Sequence, residues 1–217
     1  MPKTILLAGA TGLVGSAVLP LLLADERVGK AVVLVRRPLN LVHPKLEQWA
    51  GENLLDALRP EAVDAVICCL GTTIKKAGSQ AAFIAVDKTL PLGIARWAKD
   101  QGVQVFCGIS AMGAASGSRI FYNRVKGEVE EELEKTGFRS LAIFQPSLLT
   151  GPRKERRSGE GIASGILRAA GPFMAGSLAN YRAMPHDVLA KALVQAAVEP
   201  AEGVKRYRYR AILGLAG

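Results

Sequence analysis

Apolar positions along the chain fall into short continuous runs, separated by longer segments in which they recur every three or four residues. Lys3–Ala8 opens the series, and Ala31–Val35, Ala65–Leu70, Val103–Ile109 and Leu141–Gln145 continue it. These runs lack polar alternation, as strands covered on both faces do. The intervening segments predict helices. Leu13–Ala24 is rich in small and apolar residues, Gln80–Lys99 is long, and Tyr122–Lys135 repeats Val125, Val129 and Leu133 at four-residue intervals. Leu39–Leu58 is weaker and predicts a short third strand near Leu46–Trp49 followed by a helix. Strands alternating with helices predict an α/β fold: a doubly wound parallel sheet with right-handed crossovers and helices on both faces.

Beyond Pro146 the rhythm loosens. Gly151–Gly161 reads as a polar loop carrying Arg153, Lys154, Arg156 and Arg157, and Gly161–Ala170 as a small helix. A further helix is predicted near Asp187–Val198. Val204–Leu213 reads as a late strand whose Tyr207 and Tyr209 share one face. Residues 1–217 are expected to form one Rossmann-type domain, with a small C-terminal substrate-side region from about residue 150 onward.

Composition narrows the class. Of the 217 residues, 49% are hydrophobic and 22% charged, the profile of a globular protein. No apolar run approaches the roughly 20 residues that span a bilayer. Ile5–Ala8 is short and lacks a basic leader, so no secretory signal is expected and a cytoplasmic protein is. Cys68, Cys69 and Cys107 lie within apolar runs and read as reduced, buried thiols. With only His43 and His186 and no Cys-x-x-Cys spacing, no metal site is expected. His186 and Asp187 read as the start of a helix without a catalytic role. The formal charge of +9 is scattered along the chain with no nucleic-acid-binding signature, so no specific nucleic-acid partner is expected.

The sharpest motif follows the first strand: Gly9-Ala10-Thr11-Gly12-Leu13-Val14-Gly15. Gly9 permits a tight turn, Gly12 lets backbone approach a pyrophosphate, and Gly15 allows close packing of helix on strand. The first helical turn then offers free N–H groups and the positive end of its dipole to the phosphates. This strand–loop–helix context points to a nicotinamide dinucleotide. The second strand ends in Arg36-Arg37, where a carboxylate would bind the ribose of NAD(H). Two guanidiniums suit a 2′-phosphate, so NADP(H) is expected in preference to NAD(H).

Tyr122 and Lys126, four apart, share one face at the start of a helix. A phenol has an ordinary pKa of about 10, and a neighbouring ammonium favours its ionised form. Tyr122 could then exchange a proton with a substrate oxygen while hydride moves at the adjacent carbon. Lys126 could also donate to the nicotinamide ribose. Ser110 ends an apolar run at the C-terminal sheet edge, where its hydroxyl could hold a substrate carbonyl.

The glycine loop, Ser110 and Tyr122-x-x-x-Lys126 resemble the short-chain dehydrogenase/reductase superfamily in its extended or atypical branch. Cys68–Thr73, Phe121–Glu128 and Gln145–Leu149 are similar to its Tat-interacting-protein-like group. The resemblance implies a Rossmann fold holding NADPH. Thr11, Gly12, Leu13 and Val14 would touch the pyrophosphate, and Arg36 and Arg37 the 2′-phosphate. Leu70, Gly71 and Thr72 would line the adenosine and ribose side, and Pro146, Ser147 and Leu148 would lie beside the nicotinamide. Many superfamily members carry an Asn after strand four; the counterpart here is Asp87.

These readings imply an NADP(H)-dependent oxidoreductase acting on a small carbonyl or alcohol, with Ser110, Tyr122 and Lys126 as the catalytic set. The alternative is a non-catalytic NADPH-binding sensor with the basic loop Arg153–Arg157 as its switch. Sugar-nucleotide epimerisation ranks last, because little chain remains to enclose a large substrate. Gln80–Lys99 and Tyr122–Lys135 form a dimer face in many relatives, but the Glu128–Glu134 charge run here points to a monomer or weak homodimer.

Overall fold

The computed structural model describes residues 1–152 and 182–217. The basic loop Arg153–Arg157 and the helix expected at Gly161–Ala170 lie outside the described residues. Along the chain run β1 (Lys3–Ala8), α1 (Gly15–Ala24), β2 (Val28–Val35), β3 (Leu46–Ala50) and β4 (Ala65–Cys68). Next come α2 (Ile74–Ala77), α3 (Gln80–Ile84), a π-helical turn (Ala85–Thr89) and α4 (Leu90–Asp100). β5 (Val105–Ile109), α5 (Phe121–Lys135), β6 (Ser140–Phe144) and β7 (Leu149–Thr150) follow. Then come β8 (Met184–Pro185), α6 (His186–Val198), β9 (Gly203–Tyr207) and α7 (Tyr209–Ala216).

Seven strands form one sheet in the order β3-β2-β1-β4-β5-β6-β9. Every neighbouring pair is parallel. β7 and β8 make a separate two-stranded parallel ribbon.

Period-two side-chain alternation divides the core. Ile5, Leu7, Val33, Ile67, Cys107 and Phe144 face one layer, packed with α1, α6 and α7. Leu6, Val32, Leu34, Val66, Phe106 and Ile143 face the other, with α4 and α5. Both faces are covered, which is why these strands read as unbroken apolar runs.

Three expectations change. The segment after β3 forms a turn instead of a helix: Asn53 accepts from the Leu55 N–H and donates to Asp56, a local pattern that competes with helical bonding. The helix foreseen over Gln80–Lys99 is interrupted by the π turn around Asp87. The late strand stops at Tyr207. Arg208 is extended (φ −101°, ψ −179°), and Tyr209 opens a helix whose Ile212 is fully buried. Tyr207 stacks on Phe144 at 5.0 Å between ring centroids, so the two tyrosines belong to different elements.

Candidate active site

At the sheet's C-terminal edge, β1 turns through Gly9 with φ +88°. A Cβ at Gly9 would stand 2.8 Å from the Cys69 backbone, and one at Gly15 would stand 2.1 Å from the Gly9 carbonyl oxygen. The loop therefore closes on β4 and α1 only with glycine at these two positions. Gly12 donates its N–H to the Gly9 oxygen at 3.0 Å. Thr11 and Gly12 are exposed, Leu13 is half-buried, and Val14 and Gly15 are buried. No side chain caps the first turn of α1, and no acidic residue stands in it. Such a helix start fits a bound pyrophosphate: no side chain competes for the loop and its dipole favours an anion, although the Ser16 and Ala17 N–H groups already donate to the Gly12 and Val14 oxygens. Arg36 and Arg37 stand exposed just beyond β2, and Leu70, Gly71 and Thr72 follow β4 along the same edge.

Tyr122 and Lys126 occupy the first turns of α5, as their spacing predicted. The Tyr122 ring packs against Phe83 at 5.6 Å, beside Phe121 at the same distance from Phe83. With Thr72, Thr73 and Ile74 it lines an open pocket of about 280 Å³. Lys126 points inward and is only 5% exposed. Its ammonium lies 2.8 Å from Asp87 Oδ1. Burial alone pushes Lys126 down, but Asp87, and then Tyr122, outweigh it and hold the ammonium above the ordinary lysine value.

Ser110, just beyond β5, is held by its N–H donating to the Phe144 oxygen at 2.7 Å. Its buried Oγ has no hydrogen-bond partner among the described residues. A buried hydroxyl left unsatisfied costs about 1–3 kcal/mol, which makes Ser110 a candidate ligand contact. Ser110, Lys126, Asp87, Cys68 and Glu130 line a small cavity of about 20 Å³. The structure thus brings Ser110 and Lys126 to one wall, whereas Tyr122 opens onto the neighbouring pocket. Thr72 joins the two spaces, since its N–H donates to Asp87 Oδ2 at 2.7 Å.

Pro146 is buried, and Ser147 and Leu148 are half-buried, in the segment after β6. Ser147 Oγ donates to the Arg182 carbonyl, and the Met184 N–H donates to the Leu148 oxygen at 2.8 Å. The Met112 N–H bonds the Pro146 oxygen at 3.0 Å, tying this segment to the chain after Ser110.

A second buried network was not foreseen. Glu130, one turn beyond Lys126, is 4% exposed. It accepts two bonds from Gln145 Nε2, at 2.9 and 3.0 Å, and one from Arg206 Nε at 3.0 Å. Arg208 Nε donates to Gln145 Oε1 at 3.1 Å. The signal available in the sequence was the four-residue step from Lys126 to Glu130, which puts both on the sheet-facing side of α5. Among the described residues no cluster of His, Cys, Asp and Glu could hold a metal ion, and no helix is long and apolar enough to cross a membrane.

Comparisons with known proteins agree with this architecture. The chain is 35% identical over 211 residues to the protein fmp52-1, mitochondrial, of Aspergillus terreus, covering 92% of this chain and 89% of that protein. It is 31% identical over 207 residues to the protein HTATIP2 of Rattus norvegicus, covering 93% and 84%. Among solved structures, the Bordetella bronchiseptica enzyme WbmH in complex with NAD+ superposes with a TM-score of 0.66 at 18% identity, covering 95% of this chain and 75% of that one. The expectation of a cytoplasmic protein is corrected here: several of the similar relatives are named mitochondrial. Residues 5–170 match the NAD dependent epimerase/dehydratase family. With that match over most of its length, a parallel Rossmann-type sheet and a glycine loop leading into its first helix, the chain belongs to the NAD-dependent epimerase/dehydratase family.

Proposed function

We propose that the chain is an NADP(H)-dependent oxidoreductase of the short-chain dehydrogenase/reductase type, acting on a small carbonyl or alcohol. The observation that carries this reading is the Lys126 ammonium, kept charged in a buried seat one helical turn from a phenol that faces an open pocket. Thr11, Gly12, Leu13, Val14 and the first turn of α1 would hold the pyrophosphate, with Gly9 and Gly15 shaping the loop. Arg36 and Arg37 would hold the 2′-phosphate, which favours NADP(H) over NAD(H). Leu70, Gly71 and Thr72 would border the adenosine and ribose, and Pro146, Ser147 and Leu148 the nicotinamide.

The bound nicotinamide supplies or accepts the hydride. In the reducing direction, Ser110 Oγ donates a hydrogen bond to the substrate carbonyl oxygen, and the Tyr122 phenol gives that oxygen its proton. The Lys126 charge stabilises the phenolate left behind. In the oxidising direction the phenolate takes the proton back from the alcohol.

The test measures NADPH oxidation, with NADH in parallel, across aldehydes, ketones and quinones. Tyr122→Phe is expected to lower kcat by roughly 10²–10⁴-fold, the usual contribution of a general acid, with NADPH affinity little changed. Unchanged turnover in that variant refutes the role of Tyr122. No turnover in the wild type, with NADPH shown to bind, supports the sensor reading instead.

A further inference from the structure

We propose that Gln48 is a positioning residue for cofactor choice: its side-chain amide pins the chain after β2, so that Arg36 and Arg37 are set for a 2′-phosphate before the cofactor arrives. The inference rests on the reading of those arginines as the 2′-phosphate site, and its test reads binding instead of turnover.

Both ends of the arginine segment are fixed. Upstream, Val35 ends β2 buried, and its oxygen accepts the Gly51 N–H at 3.1 Å. Downstream, Leu39 packs against the core layer that holds α1. Only residues 36–38 lie between. A proline fixes its own φ at about −65° and keeps the residue before it out of the α region, so Pro38 narrows the choices of Arg37. Both arginines are exposed, and no hydrogen bond or ion pair engages either guanidinium among the described residues. Their charge is free for an anion, and their placement depends on the anchors to either side.

One side chain makes the downstream anchor. Period-two alternation puts Leu46 and Gln48 of the edge strand β3 on the α1 side of the sheet and Trp49 on the other. The Leu39 N–H donates to Gln48 Oε1 at 2.6 Å. Gln48 Nε2 donates to the Leu39 oxygen at 3.1 Å and to the Leu41 oxygen at 3.2 Å. The amide oxygen and the amide nitrogen are thus both engaged, as the groups of a neighbouring strand would be. No other hydrogen bond holds residues 36–42 among the described residues.

The consequence concerns when order is imposed. A segment fixed in advance loses little conformational freedom on binding, whereas a loose one loses it at that moment and binds more weakly. NADH carries no 2′-phosphate and does not engage the arginines, so the penalty falls on NADPH. Gln48→Met keeps the length and bulk of the side chain while removing all three bonds.

The experiment measures the NADPH and NADH dissociation constants of wild type and Gln48→Met by fluorescence titration. NADPH binding is expected to weaken by about 3–30-fold and NADH binding by less than about twofold. Equal weakening of the two, or no weakening of either, overturns the proposal. Gln48→Ala repeats the comparison if methionine does not pack. Added to Arg36→Ser with Arg37→Ser, Gln48→Met is expected to change NADPH binding no further, because the amide acts through those side chains; fully additive losses overturn the proposal. The wild type alone gives a further check. In native-state hydrogen exchange the Leu39 amide is expected to exchange more slowly than that of exposed Asn40, and equal rates overturn the proposal. The two readings fail separately. Equal weakening of both cofactors in the arginine variant removes the 2′-phosphate site and the role of Gln48 with it, whereas a selective arginine variant beside an unselective Gln48→Met removes the role of Gln48 alone.

Discussion

Replacing Gly127 by alanine sets two physical effects against each other with opposite signs. Gly127 is buried in the middle of α5, between Lys126 and Glu128. Helix propensity alone favours alanine there by roughly 1 kcal/mol. Packing opposes it. The new Cβ would stand 2.2 Å from both the Ala115 carbonyl carbon and the Ser116 nitrogen, and 2.5 Å from the Ala115 Cα. These are backbone atoms, so no side chain can swing aside. Ordinary contact begins near 3.4 Å, and α5 must therefore part from this turn by about 1.2 Å. The turn is tied to α5 by the Ala115 N–H donating to the Asn123 oxygen at 3.0 Å, and by Ser116 Oγ donating to Glu131. Overpacking of about 1–3 kcal/mol, with loss of bonds worth about 1 kcal/mol each, exceeds the helical gain. The net expectation is a destabilisation of about 2–4 kcal/mol, which lowers Tm on the order of 4–16 °C for a chain of this size. Circular-dichroism melts and urea unfolding of both proteins measure it. A variant as stable as the wild type, or more so, would show that the helix tolerates the methyl group and refute the argument.

Two further perturbations test other parts of the structure. Arg36→Ser with Arg37→Ser is expected to weaken NADPH binding by about 10–100-fold and leave NADH binding nearly unchanged, since each charge-assisted phosphate contact contributes on the order of 1.5–3 kcal/mol before solvent screening; equal weakening of both cofactors in fluorescence titrations counts against a 2′-phosphate site. Burial pushes the Cys68 thiol up to about 11 and Cys107 up to about 12, from an ordinary 9.0. Both thiols hold their protons more tightly folded than unfolded, so this stabilisation is complete below about pH 9 and is lost as pH rises toward 12. Native protein at pH 8 is expected to leave Cys68 and Cys107 unalkylated by iodoacetamide until denaturant is added, and fast labelling of either by mass spectrometry would contradict their burial.

The positions of the central strands and their double coverage were legible because buried parallel strands leave a plain trace: Val32–Val35, Ala65–Cys68 and Leu141–Phe144 carry no polar residue that must reach water. The glycine loop was legible because its turn and its close approach to Cys69 tolerate nothing larger at Gly9. The placement of Tyr122 and Lys126 in the first turns of one helix was legible from their four-residue spacing. Less visible were features decided by tertiary partners. Asp87 was singled out by resemblance, as the counterpart of an Asn, but neither its π turn nor its contacts with Thr72 and Lys126 could be read from the sequence. Glu130 looked like part of a solvated charge run, because its partners are remote in sequence: Gln145 just after β6 and Arg206 on β9. Tyr209 continued the alternation begun by Tyr207. The helix begins there because Ile212 reaches the core.

The placement of β9 at the far edge has a kinetic consequence. Arg206, which neutralises Glu130, lies 76 residues further along the chain, and Arg208 lies 63 residues beyond Gln145. During folding α5 can therefore dock on β5 and β6 before its buried carboxylate has a cation. Until that long loop closes, Glu130 lacks its Arg206 partner. The helix that carries Tyr122 and Lys126 is thus locked late, by the arrival of an edge strand that touches neither. In refolding, the native packing of α5 should return only after β9 has paired with β6, even when most of the sheet has already formed.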